Sequence, residues 1–107
     1  MEFEKIKNRA LEIRGKYSEL EKEKYGREWT PGEIMQGFVG DVGDLMKLVM
    51  AKQGIRSYDK LDEKIGHELA DCLWSILILA NKFNIDIEKN FLSTMDDLDE
   101  KITNKLK

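Results

Sequence analysis

Two short acidic motifs carry most of the chemistry this sequence could perform: Asp41-Val42-Gly43-Asp44 and Glu68-Leu69-Ala70-Asp71, each set in an apolar stretch. Holding two carboxylates one helical turn apart within apolar sequence carries a desolvation cost that a purely structural helix avoids. Present twice, the arrangement points to four converging carboxylates and so to a divalent cation, because hard cations take oxygen ligands. Spacing alone does not single these pairs out, since Asp59 with Asp62, Asp96 with Asp99 and Asp97 with Glu100 repeat it in a chain that is 36% charged. Position on the helical wheel does. Around the first motif Ile34, Phe38, Leu45, Leu48 and Val49 recur with the three-and-four step of a buried stripe; Asp41 falls inside the stripe and Asp44 at its edge. Around the second, Leu61, Ile65, Leu69, Cys72, Ile76, Leu79 and Phe83 make the stripe, with Glu68 inside it and Asp71 at the edge. Antiparallel packing of these two segments would bring all four acids together. The competing reading makes them boundary acids paired with Lys47 or Lys64, and the wheel leaves both readings open.

Such acids need helices to hold them, and the punctuation predicts four. The first runs from about Glu2 to Tyr25, with Phe3, Ile6, Ala10, Ile13, Tyr17 and Leu20 at helical spacing, a weak point at Gly15 and a stop at Gly26. Thr30-Pro31-Gly32-Glu33 starts the second most clearly: an N-cap threonine, proline at the first helical position and a glutamate that completes a capping box. It is expected to end near Gly54. The third begins at Asp59 or Leu61 and reaches about Phe83. After the turn Asn84-Ile85-Asp86 the fourth follows Ile87, Phe91, Met95, Leu98 and Ile102 to the C-terminus.

Composition agrees with an all-α fold in a single domain over residues 1–107, with one proline and abundant Glu, Lys, Leu and Ile. A net charge of -3 with both signs interleaved excludes a concentrated basic face, so no nucleic-acid partner is expected. The single cysteine, Cys72, lies in an apolar stripe and reads as a small core residue. No run approaches the roughly 20 apolar residues of a membrane span, and Met1-Glu2-Phe3-Glu4-Lys5 lacks a signal-peptide core. The expected location is cytoplasmic, away from any membrane. From Cys72 to Ala80 the third helix is apolar on nearly every side, more than three partner helices can cover. A homodimer, or a tetramer of paired dimers, is the expected remedy, with Leu73, Trp74, Leu77 and Ile78 at the subunit face.

The run Gly37-Phe38-Val39-Gly40-Asp41-Val42-Gly43-Asp44-Leu45, followed by His67-Glu68-Leu69-Ala70-Asp71-Cys72-Leu73, resembles the MazG-like, all-α nucleoside triphosphate pyrophosphohydrolases, and among them the dCTP pyrophosphatase-like subgroup. The resemblance covers about residues 28 to 100. It implies a four-helix MazG-like bundle completed by dimerisation, and an enzyme that uses Mg2+, with Mn2+ a possible substitute. Its substrate would be a nucleoside triphosphate, split into monophosphate and pyrophosphate to clear unwanted nucleotides. It carries the family's metal and catalytic positions to Asp41, Asp44, Glu68 and Asp71. The sequence departs from the family where Asp41 and Asp44 replace glutamates, and where Ser75 stands for a frequent tyrosine. Thr94 and Leu98 likewise stand for a lysine and an asparagine that contact substrate phosphates. The phosphate-binding role would then pass to Lys47, Lys64 or Lys82, with Trp29 stacking on the base. His67 could adjust the hydrogen bonding of Glu68. Two alternatives stay open: a phosphoribosyl-ATP pyrophosphatase-like enzyme, and a non-catalytic helical dimerisation or regulatory module that keeps a metal-binding acidic cluster.

Overall fold

A computed structural model describes residues 2–54 and 59–107, and every regular element in them is an α-helix: α1 (Phe3–Tyr25), α2 (Pro31–Lys52), α3 (Leu61–Lys82) and α4 (Ile87–Leu106). The Thr30 hydroxyl accepts from Glu33 N–H at 3.2 Å while Glu33 Oε1 accepts from Thr30 N–H at 2.9 Å, so the predicted capping box is formed. Arg27 donates to both oxygens of the same carboxylate, to Oε1 at 2.6 Å and to Oε2 at 3.2 Å, and with the Thr30 N–H it holds the Glu33 carboxyl down at about 2. α1 passes unbroken through Gly15 and ends where Gly26 takes a left-handed φ of 77° and its N–H bonds Lys22 O. A side chain there would meet strain, which is why glycine stops the helix. α2 stops at Lys52, two residues short of Gly54, and α4 is capped by Asp86, whose side chain accepts from Lys89 N–H.

α2 and α3 lie side by side and antiparallel, so that Ile34 meets Ile78 at one end and Lys52 Nζ meets Asp62 Oδ1 at 2.7 Å at the other. α1 packs against α3, and the core forms where the three helices meet: Ala10, Ile34, Leu77 and Ile78, flanked by Phe3, Ile6, Trp74 and Leu79. Two expectations need correction here. The stripe drawn for α3 places Leu69, Ile76 and Phe83 inward, yet they are 53%, 38% and 59% exposed. Trp74, Leu77 and Ile78, assigned to a subunit face, are covered within the chain: Leu77 and Ile78 are buried, and Trp74 Nε1 donates to Ala10 O at 3.0 Å with its ring 5.7 Å from Tyr17. The reason is common to both. α3 is clasped by α2 on one flank and α1 on the other, so its covered arc is wider than one stripe and rotated toward α1.

α4 differs from the rest. Ile87 touches the core, but no residue of this helix is buried, and Phe91, Leu92, Met95, Leu98 and Ile102 lie exposed along it. Among the described residues, no helix is long and apolar enough to cross a membrane.

Candidate metal centre and adjoining cavity

The antiparallel register brings Asp41 and Asp44 of α2 to Glu68 of α3, with Asp71 one turn along α3 from Glu68. Carboxylate oxygens of Asp41, Asp44 and Glu68 lie within 4.8 Å of one another, and one ligand atom each from His67, Glu68 and Asp71 does the same. Glu68 belongs to both groups, so the acids form a single cluster centred on it. Although Asp41 and Asp44 are a methylene shorter than glutamate, they reach that centre. His67 is exposed, and its Nε2 faces Asp71 Oδ2 at 3.2 Å, one turn away along α3.

The cluster is electrostatically unfavourable on its own. Glu68 Oε2 is buried and has no hydrogen-bond partner among the described residues, an omission that costs on the order of 1–3 kcal/mol or more for a charged acceptor. Burial, and then the charges of Asp41, Asp71 and Asp44, raise the Glu68 carboxyl above its ordinary range. Asp41 is raised in the same way, by burial first and then by Asp71 and Asp44. The neighbouring Cys72 thiol is buried and pushed up by burial, then by Asp41, Glu68 and Asp71. An orphaned carboxylate oxygen amid convergent hard donors fits a divalent cation of the Mg2+ or Mn2+ kind. Asp41, Asp44, Glu68 and Asp71 would hold it.

Beside the acids, a cavity of about 260 Å³ opens between the three packed helices; Asp41 and Asp71 form one side, Trp29 and Trp74 the walls, and Arg14 and Ser75 further wall. Trp29 lies over Gly37, where an added Cβ would sit 3.8 Å from its ring. The loop that carries Trp29 is fastened from below. Glu21, buried, accepts Trp29 N–H at 2.7 Å and ion-pairs with the buried Arg14 guanidinium.

Of the expected substrate contacts, Trp29 is therefore brought to the acids. Lys64 borders a surface depression with His67 and Glu68, on another side of the cluster. Lys47 lies exposed on α2, one turn beyond Asp44. Lys82 is not brought there: it pairs with Glu28 at 3.6 Å, eleven residues or roughly 16 Å along α3 from Asp71. Arg14 and Glu21 were missed by the sequence reading. Their signal was a pair of opposite charges seven residues apart, on the α1 face that also carries Phe3, Ala10 and Tyr17. No family model matches this chain, and neither a curated protein nor a solved structure matches it.

Proposed function

We propose that this chain is a Mg2+-dependent nucleoside triphosphate pyrophosphohydrolase that works as a homodimer or a pair of dimers. The observation that carries the reading is that Asp41 and Asp44 of α2 and Asp71 of α3 each gather with Glu68, whose Oε2 is buried without a partner among the described residues, beside an aromatic-walled cavity. A purely structural cluster would be expected to satisfy Glu68 Oε2, which has no hydrogen-bond partner among the described residues. When bound, the cation would neutralise the phosphate chain and acidify the attacking water. Asp41, Asp44, Glu68 and Asp71 hold the site open for the phosphates. A carboxylate of the cluster not fully committed to the cation would accept the proton of that water. Its oxygen forms a bond to phosphorus as the bond to the departing pyrophosphate oxygen breaks. Trp29 offers an aromatic face to the base.

The pairing of chains is supported by the surface left bare. The chain exposes 8438 Å², roughly a third more than the ~6,200 Å² of a compact monomer of its mass. The excess exceeds the ~800 Å² that each partner of a standard interface contributes.

Release of pyrophosphate from a panel of nucleoside triphosphates with Mg2+ tests the activity. Turnover is expected with at least one of them, falling on the order of 100-fold or more in Glu68→Gln and in Asp41→Asn with the helical circular dichroism retained. Wild type inactive on the whole panel, or variants as active as an active wild type, would reject the catalytic assignment. One observation favours a second reading, a metal-binding helical module without hydrolysis. Lys82 is occupied by Glu28, and α4 has Thr94 and Leu98 where the resemblance leads one to expect a lysine and an asparagine.

A further inference from the structure

Arg14 is the buried charge on which the proposed reaction makes no demand. Its side chain is nine-tenths buried, one terminal nitrogen is committed to Glu21, and its Nε–H is buried without an acceptor. Buried guanidinium donors are ordinarily all satisfied, because the lost hydration is not otherwise recovered. Arg14 lines the cavity together with Trp29, Trp74 and Ser75, and Asp41 and Asp71 line it too. At about 260 Å³ the cavity is just under the usual range for whole drug-sized ligands, so it suits a single flat ring system rather than an entire nucleotide. Two indoles supply stacking surface for such a ring.

What an arginine contributes is selectivity of one sign: it donates and never accepts. We propose that Arg14, held in place by Glu21, is a specificity-determining residue that selects a nucleobase carrying a ring carbonyl. Among the common bases only adenine lacks that acceptor. Where its amino group takes the place of the carbonyl it meets the guanidinium donor to donor, and only ring nitrogens are left to accept. The inference rests on the nucleotide reading of the site but concerns the base and not the phosphates. Glu21 matters twice, since the same carboxylate orients Arg14 and anchors the Trp29 backbone.

The test uses nucleosides, which carry no phosphate, and metal-free protein. Binding of inosine, cytidine, uridine and adenosine is measured by calorimetry or by quenching of indole fluorescence. At least one carbonyl-bearing nucleoside should bind about tenfold more tightly than adenosine. Arg14→Lys keeps the charge opposite Glu21 but loses the planar fork, and the preference should fall to within about twofold. Arg14→Met/Glu21→Gln removes both charges while leaving an acceptor for Trp29 N–H, and should do the same. Where the double variant fails to fold, Arg14→Lys decides. Equal or tighter binding of adenosine, a preference that survives loss of the fork, or no nucleoside binding at all would each overturn the proposal. None of these outcomes bears on the acid cluster, which metal-induced stabilisation reports separately.

Discussion

Glu68 joins the two halves of the cluster, and its unpartnered oxygen makes the metal-free protein sensitive to charge. Because Asp41 and Glu68 are raised above ordinary carboxylates, the folded chain binds protons more tightly than the unfolded chain does. Stability contributed by these groups must therefore fall as pH rises from the ordinary carboxylate range through their folded values. In EDTA, the melting temperature is expected to be higher in mildly acidic buffer than at neutral pH, and Glu68→Gln should flatten that slope while raising the neutral-pH melting temperature. A metal that binds only the folded state acts in the opposite direction. At about 100 times its Kd, Mn2+ or Mg2+ should add about 2.7 kcal/mol, a rise on the order of 10 °C that Glu68→Gln abolishes. Identical melting of wild type in EDTA and in millimolar Mn2+ would dismiss the centre. The acids could be singled out in the sequence because apolar neighbours at helical spacing set Asp41 and Glu68 inside a stripe and Asp44 and Asp71 at its edge. Arg14 and Glu21 could not. On one helix crowded with Lys, Arg and Glu, an opposite-charge pair a heptad apart looks like solvated surface until α2 and its leading loop cover it.

At the scale of elements the chain was easier to read, because helix ends are written in local chemistry. Thr30, Pro31 and Glu33 specify a start whatever lies elsewhere, and Gly26 specifies a stop. Thr30→Ala should cost about 1 kcal/mol in denaturant unfolding, and Thr30→Asp or Thr30→Ser should restore most of it. A neutral Thr30→Ala would mean that tertiary packing alone sets the start of α2. Facing directions were harder to read. A moment along α3 gives one best direction, whereas the helix has two neighbours, so the residues between them, Ser75 and Ile78 among them, are buried in place of Leu69 and Phe83. The antiparallel pairing of α2 with α3 is the condition under which the acids were expected to meet, and in it Asp41, Asp44 and Asp71 each gather with Glu68.

Seen whole, the molecule is spread out for its length. Its radius of gyration is 17.2 Å, against ~13 Å for a compact domain of about 100 residues. The excess is explained by α4, which extends from the three packed helices with Phe91, Met95, Leu98 and Ile102 facing outward. If a second copy covers them, light scattering at micromolar concentration should report a dimer or larger. Phe91→Glu/Leu98→Glu should then shift the protein to monomer without unfolding the packed helices, since neither side chain is buried in the chain. A wild type that is monomeric under those conditions would refute the assembly. Docked mainly through Ile87 at its first turn, α4 also has a consequence for order. A helix of 20 residues, with so little of it fastened, lies near helix–coil balance in water, and whatever covers its apolar side winds it further. Cover by a second copy would make the wound fraction of this last fifth of the chain a quantity set by concentration, with dilution loosening α4 while the acid cluster, framed by α2 and α3, keeps its shape.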